Sequence, residues 1–141
     1  MKRVWIDVKS LQRFPDGHSE TIELNTEGTW EEADGVQYIR YEETELTGMD
    51  GVQTEVRIYA DHAEVQRTGK IRLYQEFRPN MLHEAEYETP FGKMTLHMET
   101  VELINTIADG SGDMKVGYDV SIEGMGALYN ELSITVREEK N

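Results

Sequence analysis

Apolar residues recur at every second position through most of this 141-residue chain, and glycine-bearing turns cut the pattern into short segments. Alternation of period two puts successive side chains on opposite faces of a strand, so each segment reads as a half-buried β-strand. Val4, Ile6 and Val8 share one face, and "FPDG" (14–17) supplies a proline and an Asp-Gly pair suited to reversing the chain. Ile22 and Leu24 alternate with Thr21 and Glu23, and a further short segment carrying Trp30 ends at "EADG" (32–35). "VQYIRYEETEL" (36–46) alternates less cleanly before a turn at "TGMDG" (47–51). Residues 52–60 set Val52, Val56, Ile58 and Ala60 against Gln53, Glu55, Arg57 and Tyr59.

"AEVQR" (63–67) and "KIRLYQEF" (70–77) form a hairpin about an expected tight turn at Thr68-Gly69, with Ile71, Leu73 and Phe77 in phase. "HEAEYET" (83–89) reads as an outer strand with Glu84, Glu86 and Glu88 on one face, followed by a turn at "PFG" (90–92). "MKVGYDVSI" (114–122) and "ALYNELSITV" (127–136) are joined by "EGMG" (123–126), and "REEKN" (137–141) reads as a solvated end. Residues 93–109 admit two readings. Met94, Met98, Val101 and Ala108 fall near helical spacing without an internal Gly or Pro. The β-branched content and the alternation of Met94, Leu96 and Met98 favour a strand whose phase switches at a bulge near Glu99.

These segments amount to an all-β chain of roughly eight to ten strands, which the handful of short connections arranges as an antiparallel up-and-down meander. A meander of that length leaves unpaired edges unless it closes, so a β-barrel is expected, with an interior that fills with side chains or admits one small ligand. Residues 1–141 make one domain by size. With no cysteine, a disulfide framework, a thiolate metal site and a cysteine nucleophile are all excluded. The start, "MKRVWIDVKSLQRF", is interrupted by Asp7 and Lys9 and carries no apolar core of an export signal, so a cytoplasmic location is expected. The formal charge of −14 opposes association with nucleic acid or an anionic membrane. Acidity is densest in residues 20–64, where 13 acids face only Arg40 and Arg57, a solvated face or a docking surface for a basic partner. Nothing in the patterning specifies an oligomer.

The order and spacing of "YEE" (41–43), "VRIYADHAEVQRTGKIRLYQEF" (56–77), "YETPFGKMTL" (87–96), "VGYDVSI" (116–122) and "NELSITV" (130–136) resemble the bacterial YwiB-like family of uncharacterised small proteins. The resemblance covers nearly the whole chain. It implies a lipocalin-like, calycin-type antiparallel barrel and a strand over residues 93–107. It brings no reaction, ligand or functional residue. Fold likeness alone is a weak warrant for ligand carriage.

The chemistry-bearing residues form no recognised catalytic pattern. His18, His62, His83 and His97 lack a zinc-binding spacing, and no metal or cofactor is expected. "DGSGDM" (109–114) fails the calcium-loop pattern at Met114 and Val120, and "GSGDMK" and "GMGALY" lack the third glycine of a dinucleotide fingerprint. There is no Gly-x-Ser-x-Gly elbow. Met94, Leu96 and Met98 read as core.

Polar residues in the inward phase are the sharp feature. Arg67 follows Val65, Gln75 lies between Leu73 and Phe77, Asn130 between Leu128 and Leu132, and Glu43 follows Ile39 and Tyr41. A buried guanidinium must be paired, and Glu43 is the expected carboxylate. Three functional readings follow. The first is a non-catalytic barrel that takes a small, partly apolar or anionic ligand through Arg67, Glu43, Gln75, Tyr118 and Asn130. The second is a protein-interaction domain with a filled barrel and an acidic docking surface. The third is an enzyme using paired carboxylates.

Overall fold

The structure, a computed structural model, describes residues 1–44, 50–122 and 127–139. The alternating segments form ten strands: β1 (Lys2–Arg13), β2 (Ser19–Ala33), β3 (Val36–Glu42), β4 (Val52–Ile58), β5 (Ala63–Gly69), β6 (Arg72–Phe77), β7 (Leu82–Thr89), β8 (Gly92–Asn105), β9 (Gly112–Ile122) and β10 (Leu128–Glu138). Each pairs antiparallel with its neighbours in sequence, and β1 pairs with β10, closing the barrel. The expected antiparallel β-barrel is the observed fold. Among the described residues no helix is long and apolar enough to cross a membrane.

The inward phase of every strand supplies one core. Val4, Ile6, Ile39, Val56, Val65, Phe77, Met98, Met114, Val116 and Ile134 fill the middle of the barrel and are fully or almost fully buried. Each such side chain contributes about 1.5–3 kcal/mol through removal of its apolar surface from water. Backbones also come close. A Cβ at Gly28 would run into the Arg40 carbonyl oxygen and the Ile6 side chain, so β2 needs glycine where it bends past β1 and β3.

The two ends differ. At one end the turns β2–β3, β4–β5, β6–β7 and β8–β9 gather, and Ile107 from the β8–β9 turn folds in as part of the core. Trp30 Nε1 donates to Gln37 Oε1 at 2.9 Å, and Gln37 Nε2 donates to the Ile107 carbonyl at 2.8 Å. This end is closed by a satisfied polar clasp. At the other end, inward-phase residues become accessible, with Ile22 and Met94 each 41% exposed and Tyr87, Tyr118, Val120 and Leu128 half-buried.

Residues 93–105 are strand, as the β-branched content favours, and the register shift falls between Thr100 and Glu102, so Val101 is the bulged residue. Trp30 belongs to no separate short segment, because β2 runs unbroken for 15 residues. Ala60 leaves the strand face and lies exposed in the β4–β5 turn. The hairpin does not reverse at Thr68-Gly69. Arg67 pairs with Leu73, so the reversal centres on Lys70, and Gly69 still pairs with Val52. Gly69 has φ of 122°, and a Cβ there would strike the Gly51 carbonyl oxygen, so this glycine serves strand approach at positive φ. Arg137 and Glu138 continue β10 and pair with Trp5 and Val4 rather than forming a loose end. Of the expected turn at 47–51 only Asp50 and Gly51 are described; the connection at 123–126 and residues 140–141 lie outside the described residues.

Candidate functional site

Antiparallel pairing sets the inward polar residues side by side. Tyr41 lies opposite Thr54, and Thr54 opposite Arg67. Val65 opposite Gln75 puts the Gln75 side chain on the same inner wall, and Asn130 lies opposite Tyr118. Glu43, one residue past β3, keeps the inward phase because its amide still bonds to the Val52 carbonyl at 2.9 Å. All five residues singled out in the sequence therefore reach the inside of the barrel, toward its more accessible end.

The side chains connect into a belt. Thr54 Oγ1 donates to Glu43 Oε1 at 2.7 Å. Arg67 Nε stands 3.8 Å from the same oxygen, an ion pair too long to be a hydrogen bond. Arg67 donates from Nη1 to Gln75 Oε1 at 3.2 Å, and Gln75 Nε2 contacts the Met98 sulfur at 3.4 Å. The Phe77 and Tyr118 rings pack with centroids 4.9 Å apart. The side chain of Arg67 is 13% exposed and that of Glu43 is 2% exposed, so the arginine is held inside rather than reaching out to solvent. Glu43 is its carboxylate partner, as the alternation suggests.

Pairing in this belt is incomplete. Among the described residues four buried side-chain polar atoms lack a hydrogen-bond partner, and three belong here: Arg67 Nε, Tyr41 Oη and Asn130 Nδ2. The fourth is His83 Nε2. Burial pushes the Tyr41 phenol well above its ordinary value; the Arg67 charge opposes that shift and Glu43 adds to it. Burial likewise raises Tyr118, against the nearby Arg67 charge and a hydrogen bond with Gln75. Both hydroxyls remain protonated across the physiological range.

Cavities lie around the belt rather than through the packed centre. A groove of about 560 Å³ runs over the strands β2–β5, lined by Glu27, Arg40, Glu42, Gln53, Glu55 and Gln66. A recess of about 360 Å³ at the closed end has a floor of Ile58, Ala63 and Met114 and walls that include Asp61 and His62.

One cluster escapes a reading by sequence spacing. His62, Glu64 and Glu76 converge on the outer face, although His62 matches no metal-binding motif. The signal was the hairpin register: a reversal at Lys70, instead of Thr68-Gly69, puts Glu64 directly opposite Glu76. His97 is an ordinary exposed strand histidine, 3.4 Å from its cross-strand neighbour Glu84. Asp109 and Asp113 share no site, since Asp109 pairs with Lys2 and Asp113 accepts from Thr135.

Residues 6–134 match the family described as "Domain of unknown function (DUF1934)". The chain belongs to the DUF1934 family. A relative in Bacillus subtilis (strain 168), named "Uncharacterized beta-barrel protein YwiB", is 25% identical over 132 residues, covering 94% of this chain and 91% of that protein. The crystal structure of the ywiB protein from Bacillus subtilis superimposes with a TM-score of 0.88 at 23% identity, covering 99% of this chain and 93% of that one. Membership in DUF1934 thus carries the barrel and assigns no function.

Proposed function

We propose that this DUF1934 chain is a non-catalytic, lipocalin-like binding barrel that operates in the cytoplasm and takes a small, partly apolar anion at its more accessible end. The observation that carries this reading is the trio of buried atoms without a hydrogen bond: Arg67 Nε, Tyr41 Oη and Asn130 Nδ2. A buried polar group left unsatisfied costs about 1–3 kcal/mol, so three on one belt favour a molecule that pairs with them. Nε and Nδ2 are donors only, and the partner they fit is therefore an acceptor, best a carboxylate or sulfonate facing the guanidinium. The accessible inward residues Ile22 and Met94 give such a molecule an apolar flank.

The test uses 1-anilinonaphthalene-8-sulfonate, an apolar anion whose fluorescence rises on binding, together with native mass spectrometry of the chain isolated from bacterial cells. Saturable one-to-one binding that weakens at least tenfold in Arg67→Met, but not in the outward-facing Tyr74→Phe, supports the reading. Equal binding by wild type and Arg67→Met, or no binding and no retained small molecule, overturns it.

The filled centre favours a second reading, a protein-interaction domain that uses the acidic outer face of residues 20–64. On that reading no small molecule accompanies the chain, and Arg67→Met changes stability alone, without changing the binding of the anilinonaphthalene probe.

A further inference from the structure

Glutamates directly opposite one another on neighbouring strands repel, and Glu64 and Glu76 stand in that relation on the outer face of β5 and β6. His62, from the turn before β5, brings Nε2 to 3.5 Å from Glu64 Oε2 and 3.9 Å from Glu76 Oε1. Its other nitrogen, Nδ1, lies 2.7 Å from Asp61 Oδ1. An ionised carboxylate only accepts, so Nδ1 carries the proton of that bond. In the neutral ring, Nε2 then turns a lone pair toward two carboxylates. The ring cannot easily swing away, because it stacks on Tyr59 with centroids 4.1 Å apart.

The carboxylate of Glu64 is held for the same purpose. Arg57 Nη1 and Tyr59 Oη donate to Oε1 at 3.1 and 3.2 Å, and Tyr74 Oη donates to Oε2 at 2.7 Å, leaving Oε2 a second lone pair on the His62 side. Burial alone raises the Glu64 carboxyl, but the hydrogen bonds from Tyr74, Arg57 and Tyr59 outweigh it and hold the group below its usual range. Glu76 is steadied by Arg78 Nε at 3.7 Å, and Arg78 also reaches Asp61 at 2.8 Å. Five carboxylates (Glu31, Glu55, Asp61, Glu64, Glu76) face three guanidinium groups (Arg40, Arg57, Arg78) in this linked cluster, so carboxylates outnumber guanidinium groups by two.

We propose that His62 Nε2, Glu64 and Glu76 bind one divalent transition-metal cation of the zinc class, with Asp61 as the residue that positions His62. One imidazole nitrogen and two carboxylate oxygens make the mixed donor set that zinc accepts at about 2.0–2.2 Å, and the three ligand atoms already lie within 4.8 Å of one another. A ligating histidine whose far nitrogen is held by a carboxylate is the usual outer-shell arrangement of such sites. Three protein ligands leave a fourth position for water or an exogenous group. The site is on the outer wall and does not rest on the ligand reading of the interior.

The experiment titrates Co²⁺ into the untagged full chain after dialysis against a chelator, following the visible d–d absorption, and then displaces it with Zn²⁺. A saturable one-to-one band, displaced by Zn²⁺, is expected. His62→Gln abolishes it, Glu76→Gln weakens it at least tenfold, and Asp61→Asn weakens it about 10–100-fold. His18→Gln, in the exposed group with Asp16 and Glu20, leaves it unchanged. Metal-free melting curves establish that each variant is folded, and Glu76→Gln, at a partly exposed side chain, serves if His62→Gln does not fold. No saturable binding, equal affinity in the folded His62→Gln or Glu76→Gln variant, or loss on His18→Gln overturns the proposal.

Discussion

At the closed end of the barrel one glutamine satisfies two strangers: Gln37 accepts from the Trp30 indole and donates to the Ile107 carbonyl, and no partner is left over. At the other end Arg67, with more donors and a full charge, makes one hydrogen bond to Gln75 and, through Nε, a long ion pair to Glu43, while Nε, Tyr41 Oη and Asn130 Nδ2 go without a hydrogen bond. Both clusters are buried in the same barrel and both project from inward strand positions. The difference teaches that polar groups at the first end use their hydrogen-bonding capacity fully, whereas the belt at the second leaves three buried atoms without a hydrogen bond. A chain needing only stability is served as well or better by apolar residues in place of the whole Glu43–Arg67 pair, whereas removing one partner alone strands a buried charge.

The contrast can be broken by measurement. Gln37→Ala leaves two buried groups unpaired at once and is expected to cost about 3 kcal/mol, a fall in Tm on the order of 10 °C by thermal denaturation. Arg67→Met removes the Gln75 bond and weakens the compensation of Glu43, at about 2 kcal/mol by urea titration; a cost equal to or above that of Gln37→Ala means that the arginine is as fully paired as the glutamine. Trp30→Phe costs about 1–2 kcal/mol, since Gln37 Oε1 loses its donor. Tyr41→Phe is expected to cost no more than about 1 kcal/mol at neutral pH, because its hydroxyl makes no hydrogen bond of good geometry and interacts only weakly with Glu43 and Thr54.

Alkaline pH sharpens the same point. The folded state raises Tyr41 and Tyr118 above the ordinary phenol value of 10.0, so it binds their protons more tightly than the unfolded chain does. The associated stability is present below pH 10 and is lost as pH rises above it. Stability should therefore decline above about pH 10, more shallowly in Tyr41→Phe, with the two phenols absent from the 295 nm titration until the barrel unfolds. A Tyr41 that titrates freely in the folded state contradicts the burial of its hydroxyl.

Period-two alternation was enough to read the strands and their inner faces, because a barrel with one wet side enforces it on every segment. It also gave Arg67 and Glu43 as partners, since each breaks the phase of an otherwise apolar wall. What alternation does not encode is the position of a reversal. Thr68-Gly69 carries turn chemistry, yet Gly69 is glycine because the Gly51 carbonyl occupies the space of a side chain. That slip in register hid the facing of Glu64 and Glu76, and with it the company of His62. The long unbroken β2 was likewise not legible, because alternation between Leu24 and Trp30 is interrupted by polar residues and Gly28, where close strand approach excludes a side chain.

The ladder between β6 and β7 holds at only two positions, Arg72 with Glu88 and Leu73 with Tyr87, whereas β1 and β2 are in register over twelve. A closed barrel opens first where fewest rungs must break. Amide hydrogens along β6 and β7 should therefore exchange fastest among the strands, through brief local opening rather than global unfolding. Gln75 lies on β6 and touches Met98 across that gap, so such breathing would admit solvent, or a small molecule, to the inner polar belt from the side of the barrel.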